Sequence, residues 1–282
     1  MLSLLPAILY FATPLILAAL GELVVERAGV VNIGIEGMML GGALGAWAAD
    51  GWHGPAAAIV AAILAAMLLA IPFCIATLLF AADQIVTGTG INLLALGLTG
   101  MIYKLVPEEM AGRVVGIDKR WLIGLTPLMA MVVWGYLRFT RSGLELAAIG
   151  ESPQAADTAG VSVNRRKFFA ILFGAACAGL AGAYLSIMYN RSFTENMTDG
   201  VGFLALAMVI FGRWNAGGII AAGLFFGLAR AIAGSLETRH GFSPAVLRTF
   251  GMLPYVVSLA ALAGVAGKSG SPAGLGKAYE RE

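Results

Sequence analysis

Four polar side chains interrupt apolar stretches of the sequence. Asn32 and Glu36 are four residues apart, and Thr89 and Asn92 are three apart. On a helix, either spacing places both members of a pair on one face. Their carboxylate, carboxamide and hydroxyl groups can hydrogen-bond a polar, hydroxylated molecule, or they can bond the backbone of a neighbouring broken helix. We therefore expect the two pairs to face protein or water and not lipid.

The four residues differ in which of these two roles we favour. Glu36 lies about 9 Å along a helix from the polar end of its stretch at residues 27–29, which favours a structural role such as capping a broken helix. For Asn32, a structural role and a place on a solute pathway both remain open. Asn92 lies in the middle of its stretch and is the strongest pathway candidate. Thr89 shares its face, although a threonine hydroxyl often bonds back to its own helix.

The composition indicates that these pairs belong to a membrane protein. The 282 residues are 59% hydrophobic and 12% charged, with a mean hydropathy of +0.86. A soluble domain carries about 25% charged residues. The apolar stretches are continuous, and several reach the roughly 20 residues that cross a bilayer as a helix. The sequence therefore predicts an all-α, polytopic membrane protein with about 8–9 transmembrane helices.

The predicted membrane domain covers residues 1–267, and a Gly/Ser-rich tail covers 268–282. The apolar stretch 202–211 is too short for a relaxed span, so we expect at least one broken or half-length helix. The predicted spans are approximately 4–24, 30–49, 55–81, 85–103, 121–138, 167–188, 202–211, 216–236 and 249–266.

The distribution of Lys and Arg predicts how these spans are oriented. The polar stretch from Arg138 to Lys167 holds five basic residues, and we place it in the cytoplasm. With nine spans, ten of the 18 Lys and Arg residues lie inside and seven outside, when Arg230 within a span is left out. The N-terminus would then lie outside and the C-terminus in the cytoplasm.

The sequence shows no catalytic or metal-binding pattern. His53 and His240 have no Cys, His or carboxylate beside them at metal-ligand spacing. GVAGKSG contains the Gly-Lys-Ser of a phosphate-binding loop, but Leu262 occupies the position where that motif needs glycine. The net charge of +2, without any basic run, argues against nucleic acid as a partner. We therefore expect no metal, no bound cofactor and no enzymatic activity in this chain.

A short helix is predicted within the polar region 139–165. Ser152 is a natural N-cap, Pro153 suits the first helical position, and Gly160 can end the helix in the left-handed conformation. A helix of about seven residues is marginal alone in water and needs a surface to pack on. Its alanine face, Ala155, Ala156 and Ala159, fits a groove on another protein, while a plain surface loop remains the alternative.

A stripe of small residues follows Glu36. Gly37, Gly41 and Gly45 recur every four residues, which allows two helix backbones to approach closely. We expect these glycines to pack against helices of the same chain, with a subunit interface as the alternative.

The short helix carries a resemblance to a known family. QAADTAG is similar to the coupling loop of ABC-importer permeases, whose common form is Glu-Ala-Ala, three residues, Gly; here Gln154 replaces the Glu. The stretches ERAGVVNIGIEGMMLGGALGAW and SFTENMTDGVGFLALAMVIFGRWNAGG resemble the branched-chain amino acid, ribose and nucleoside class of these permeases. Within that class, NIGIEGMML, FTENMT and VIFGRWN are most similar to nucleoside-type permeases that work with a basic-membrane-lipoprotein-like binding protein.

The resemblance implies a function and a set of partners. The chain would be a multi-pass protein of the bacterial inner membrane that supplies half of an importer pore, beside a second permease that is a paralogue. Partner ATPase subunits would bind ATP and Mg and hydrolyse ATP, and an extracytoplasmic protein would deliver the small solute. A nucleoside is the expected solute; a sugar such as ribose, a branched-chain amino acid and a stand-alone secondary transporter are the alternatives. ATPase coupling would involve Gly150, Glu151, Ser152, Pro153, Gln154, Ala155, Ala156, Ala159 and Gly160.

Overall fold

A computed structural model describes residues 4–106, 114–118, 120–237, 252, 256 and 270–279. Within these ranges all regular structure is helical. The chain forms ten α-helices there, two of which continue as π-helical segments: α1 Leu4–Arg27, α2 Ile35–His53, α3 Pro55–Cys74 with Ile75–Leu79, α4 Gln84–Leu105, α5 Arg120–Phe139, α6 Arg141–Glu151, α7 Pro153–Thr158, α8 Val163–Ala183 with Tyr184–Asn190, α9 Val201–Phe211 and α10 Ala216–Glu237.

Six of the described helices are long and apolar enough to cross a membrane: α1, α3, α4, α5, α8 and α10. The protein is therefore a polytopic helical membrane protein. Helix α9 has 11 residues and a length of about 16 Å, so it is half-length, at the position expected for a short helix. The predicted span 249–266 lies outside the described residues, and the count of 8–9 transmembrane helices stays a prediction.

Helix α2 is largely buried within the bundle, although its 19 residues are not among the six spans. It packs against α3, α8 and α4. Its glycines allow this close packing: a Cβ added to Gly45 would lie 2.9 Å from the carbonyl oxygen of Ala61 on α3, and one on Gly37 would lie 2.8 Å from the Cβ of Ala95 on α4. Gly41 faces Leu69 of α3. The stripe thus lies against helices of the same chain.

The chain is not helical between α1 and α2. Residues 28–34 form turns and irregular structure, and most of them are buried. Gly29 has φ +79°, which an L residue rarely adopts, and the valines that follow favour extended backbone. Asn32 therefore lies before α2, and the expectation that it shares a helix face with Glu36 is wrong. The distance of about 9 Å along a helix from residues 27–29 to Glu36 does not apply either, because α2 begins only at Ile35.

One end of the bundle collects the elements that surround the short helix α7. The C-terminal segment 270–279 lies there: the backbone N–H of Gly274 donates to the carbonyl of Gly150 (2.8 Å), and that of Gly276 donates to the carbonyl of Gly29 (3.2 Å). The end of α1, the α6–α7 region and the described part of the tail are thus joined by main-chain hydrogen bonds. We call this end the α7 end of the molecule.

Candidate functional site

The non-helical segment between α1 and α2 obtains hydrogen bonds from polar side chains. The backbone N–H of Val31 donates to Oε1 of Gln84 (2.8 Å), and that of Asn32 donates to Oε1 of Glu22 (2.9 Å). Irregular backbone at membrane depth is tolerated only where it is surrounded by protein or water, because lipid offers no hydrogen-bond partners. Gln84 and Glu22 therefore stabilise the break at which α2 begins.

Asn92, on α4, also hydrogen-bonds the backbone at this break. Its Oδ1 accepts from the backbone N–H of Gly37 (2.8 Å), and its Nδ2 donates to the carbonyl of Ile33 (3.0 Å). Both ends of the carboxamide are therefore bonded to the first turn of α2 and to the segment before it. Thr89, on the same helix, is exposed, and its hydroxyl donates to the carbonyl of Ile85 (2.8 Å). A role for either residue on the solute pathway stays a prediction.

Glu36 caps the half-length helix α9. Its Oε1 accepts from the backbone N–H of Gly200 (2.9 Å), and its Oε2 accepts from the backbone N–H of Gly202 (2.7 Å). Unpaired N–H groups and the helix dipole make a helix N-terminus attractive to a carboxylate. A Cβ on Gly202 would lie 2.7 Å from Cα of Glu36, so only glycine permits this approach. The geometry corresponds to the structural role favoured for Glu36.

Asn32 lies inside the protein with an incomplete set of hydrogen bonds. It is fully buried, and its Nδ2 lies 3.4 Å from Sδ of Met38. Its Oδ1 has no hydrogen-bond partner among the residues that the structure describes. The roles considered for Asn32 therefore both remain predictions.

A cavity of about 790 Å³ lies between the first half of α1, the π-helical end of α8, α9 and the second half of α10. The end of α1 and the beginning of α10, which lie near α7, do not line this cavity. The cavity is therefore remote from the α7 end. Its polar lining residues come from four elements: Tyr10, Tyr184, Tyr189, Asn190, Asp199, Arg230 and Ser235. A second cavity of about 440 Å³ shares Tyr10 and Tyr189 and is also lined by Asp118, Arg120 and Arg191.

Sequence reasoning missed this cavity. The residues that line it come from distant parts of the chain, and no local spacing relates Tyr10 to Arg230. One signal was present: Arg230 interrupts the apolar helix α10, and an ionisable side chain within a membrane helix normally faces protein or water and marks a functional region.

Helix α7 has the capping predicted from the sequence. The Ser152 hydroxyl oxygen accepts from the backbone N–H of Ala155 (3.4 Å), Pro153 is the first helical residue, and Gly160 has φ +83°. The helix ends at Thr158, one residue earlier than expected.

The expected alanine face of α7 is partly wrong. Ala156 is 4% exposed and packs in a small cluster with Ile149, Val163 and Tyr279. Ala155 and Ala159 are exposed, together with Gln154. Residues 155 and 159 are four apart and share a face, whereas residue 156 points about 100° away, toward its own chain. The surface that another protein could contact is therefore Gln154, Ala155, Thr158 and Ala159, which we call the outer face of α7.

Hydrogen bonds connect the α7 end to the junction of α9 and α10. The Arg27 guanidinium donates to the carbonyl of Trp214 through Nη2 (2.6 Å) and Nε (3.2 Å), and the Trp214 indole donates to Oε2 of Glu26 (2.5 Å). Cα of Gly150, which precedes α7, would lie 3.3 Å from a Cβ on Gly29. The C-terminal end of α9 is thus hydrogen-bonded, through Trp214, to the C-terminal end of α1. The same end of α1 contacts the α6–α7 region.

The described residues include no group of three His, Cys, Asp or Glu side chains that could hold a metal ion. Cys74 and Cys177 are both buried and free. Glu22, Glu36, Gln84 and Asn92 bond to backbone groups of other elements, and in this arrangement they position helices.

The sequence matches a family described as "Branched-chain amino acid transport system / permease component" over residues 4–262. It is 34% identical to the guanosine ABC transporter permease protein NupQ of Bacillus subtilis, in an alignment that covers 97% of this chain and 95% of NupQ. It is 35% identical to TsgC13, a putative glucose ABC transporter permease protein of Haloferax volcanii, over 82% of this chain and 76% of TsgC13.

A second Bacillus subtilis protein, the guanosine ABC transporter permease protein NupP, is 28% identical to this chain over 76% of its length and 69% of NupP. The family match begins in α1 and continues beyond α10, so it includes the capped helix α7, the half-length helix α9 and the cavity. The chain therefore belongs to the family of branched-chain amino acid transport system permease components, and it is a membrane-spanning permease subunit of an ABC importer.

Proposed function

We propose that this permease forms half of a translocation pore for a nucleoside. The observation that carries the proposal is the similarity to NupQ, named as a guanosine permease, which extends over nearly the whole of both chains. The cavity supports it, because tyrosines and hydrogen-bonding side chains occur there together. Aromatic rings stack on a nucleobase, and polar groups bond its edge and its ribose.

The outer face of α7 is the proposed docking surface for an ATPase subunit. Its side chains are short, and the helix is held from behind by Pro153 and Ala156, both buried. A groove on a partner can therefore approach the α7 backbone closely while α7 remains seated on its own chain. The partner ATPase would bind ATP and Mg and hydrolyse ATP.

The same docking gives the proposed orientation. With the ATPase in the cytoplasm, the α7 end is cytoplasmic, and so are Arg27, Arg213 and the described residues of the tail. The N-terminal half of α1 and the 790 Å³ cavity then approach the opposite side, where an extracytoplasmic binding protein would deliver the solute. The excess of Lys and Arg at the α7 end agrees with this orientation.

The pore is proposed to contain a second, paralogous permease. Bacillus subtilis has two proteins named as guanosine ABC transporter permeases, NupQ and NupP, and both are similar to this chain. A pair of different permeases in one importer explains why one organism carries both.

Glucose is the second candidate solute, because TsgC13 has an identity to this chain as high as that of NupQ. Uptake into proteoliposomes distinguishes the two. The complete importer should be reconstituted with its partner permease, ATPase and binding protein, and ATP-driven uptake of labelled guanosine and glucose measured. We expect guanosine uptake that requires ATP and persists when the proton gradient is collapsed. Glucose uptake without nucleoside uptake, or uptake driven by protons without ATP, would contradict the proposal.

A further inference from the structure

Arg230 is an intramembrane cation that opens onto the 790 Å³ cavity. It lies 14 residues after Ala216, where α10 begins, which corresponds to about 21 Å along the helix. The beginning of α10 adjoins the α7 end, so Arg230 lies about two thirds of the way across a hydrocarbon layer about 30 Å thick. Within the part of the chain that the structure describes, Arg230 takes part in no hydrogen bond or ion pair. An arginine within a membrane helix is costly unless it faces protein, water or a polar ligand, and it marks a functional region by default.

Tyr184 provides a second, independent sign of a missing polar partner. Its side chain is 0% exposed and lines the same cavity. Its hydroxyl has no hydrogen-bond partner among the described residues. A buried hydroxyl without a partner destabilises the folded protein, so a group that enters the cavity and bonds it would offset that cost.

Aromatic rings stand beside these two groups. Phe11 and Tyr189 have ring centroids 5.8 Å apart, and both line the cavity with Tyr10. Asp199, which is exposed, and Asn190 are further polar residues of the described lining. The cavity volume of about 790 Å³ falls in the range of about 300–1,000 Å³ that is typical of small-molecule sites. Rings, a fork-shaped donor, a carboxylate and an unpaired hydroxyl together fit a planar heterocycle that carries hydroxyls.

We propose that this cavity is a solute site within the permease that reads a 6-oxopurine nucleoside such as guanosine, with Arg230 donating to O6 and N7 of the base and Tyr184 bonding a second polar group. Tyr10, Phe11 and Tyr189 stack against the base. The proposal rests on the nucleoside function proposed above and adds to it a purine preference and the residues that produce it.

The preference for a purine follows from the geometry of arginine. A guanidinium presents two parallel N–H groups, and these match the adjacent O6 and N7 acceptors of guanine. A pyrimidine lacks the N7 position, and a simple sugar has neither a planar aromatic ring to stack on the tyrosines nor the paired O6 and N7 acceptors. Lysine keeps the positive charge but lacks the two parallel N–H donors. Arg230→Lys therefore distinguishes bidentate recognition of the base from electrostatic attraction alone.

The test compares guanosine with 7-deazaguanosine, which lacks only the N7 acceptor. Uptake is measured in proteoliposomes with the complete importer and saturating, loaded binding protein, so that the contribution of the binding protein is the same for every permease variant. For the natural chain we expect guanosine to be carried about tenfold faster. Arg230→Lys should slow guanosine uptake about tenfold and bring the ratio of the two rates close to one. Tyr184→Phe, which removes a single hydroxyl, should slow both solutes alike.

Tyr103→Phe is the matched control, because Tyr103 belongs to an aromatic cluster with Trp47 and Phe193 and does not line the cavity. It should leave both rates unchanged. Basal ATP hydrolysis and recovery of all subunits show whether each variant assembles. Suppose that the natural chain carries guanosine, and that Arg230→Lys and Tyr184→Phe both keep the natural uptake rate and the natural ratio of guanosine to 7-deazaguanosine. The proposed site is then refuted, while the nucleoside function stands. If the natural chain carries no nucleoside, the proposed function and the proposed site are both refuted.

Discussion

The carboxylate of Glu36 accepts a hydrogen bond of 2.7 Å from the backbone N–H of Gly202, although 166 positions of sequence separate the two residues. Through this contact, the beginning of the enclosed helix α2 fixes the beginning of the half-length helix α9. Helix α9 lines the cavity with Val201 and Leu204 at one end, and its other end leads to Trp214, which is bonded to Glu26. The position of α9 is thus set at both ends.

Removing the carboxylate of Glu36 should destabilise the permease. Glu36→Ala leaves the backbone N–H groups of Gly200 and Gly202 without their acceptor, and hydrogen bonds to a charged group contribute about 1.5–3 kcal/mol each. We expect a loss of about 3 kcal/mol or more, measured as a lower midpoint of thermal unfolding in detergent. Glu195→Ala is the control, since Glu195 is half-exposed in a surface pair with Lys104 and such pairs contribute little. Equal midpoints for the two variants would refute the capping role.

Asn92 and Thr89 are expected to respond very differently to substitution. Asn92→Leu leaves the N–H of Gly37 and the carbonyl of Ile33 unpaired at the start of α2, which should cost about 2 kcal/mol or more and reduce the yield of folded protein. Thr89→Val removes an exposed hydroxyl that bonds its own helix, and its effect should stay within about 0.5 kcal/mol. Unfolding midpoints in detergent measure both. If Asn92→Leu is as stable as the natural chain but takes up solute more slowly, Asn92 lines the solute pathway and its structural role is refuted.

The C-terminal segment should hold α7 in place. Tyr279 packs with Ile149, Ala156 and Val163, so Tyr279→Ala removes the tail's contribution to that cluster. We expect faster trypsin cleavage at Arg165, in the first turn of α8, because the α7 region would open more often. Lys277→Ala, a change of an exposed side chain in the same segment, is the control. Identical cleavage rates for the two variants and the natural chain would show that the tail does not secure α7.

Local signals in the sequence were enough to predict the termini of α7 and the short helix α9. Ser152, Pro153 and Gly160 act within one turn of backbone, and capping depends on little else. The length of the apolar stretch 202–211 limits α9 in the same way. These features are confirmed because the interactions that determine them span only a few residues.

Contacts between distant parts of the chain were beyond local reasoning. The buried side of α7 depends on Tyr279, more than a hundred residues away, and the cavity brings Tyr10 together with Arg230. The break at 28–34 had local signals in Gly29 and in the valines after it, but the apolar pattern led us to begin the second span at about residue 30, whereas α2 begins at Ile35. Glu36 was expected to cap a broken helix, yet nothing in its neighbourhood identified α9 as that helix.

The central claim is that the outer face of α7 transmits ATP hydrolysis to this permease, and Ala155→Arg tests it most directly. Ala155 is exposed, and arginine is a good helix former, so the variant should fold and insert normally. Ala156→Arg would be ambiguous, because Ala156 is buried against its own chain. Thr194→Arg, in an exposed loop remote from α7, is the control.

The measurement is ATP hydrolysis by the reconstituted importer, with and without loaded binding protein. We predict that Ala155→Arg either loses the ATPase subunit on purification or hydrolyses ATP without stimulation by the binding protein, while Thr194→Arg behaves as the natural chain does. Full recovery of the ATPase together with normal stimulation and uptake in the Ala155→Arg variant would contradict the account.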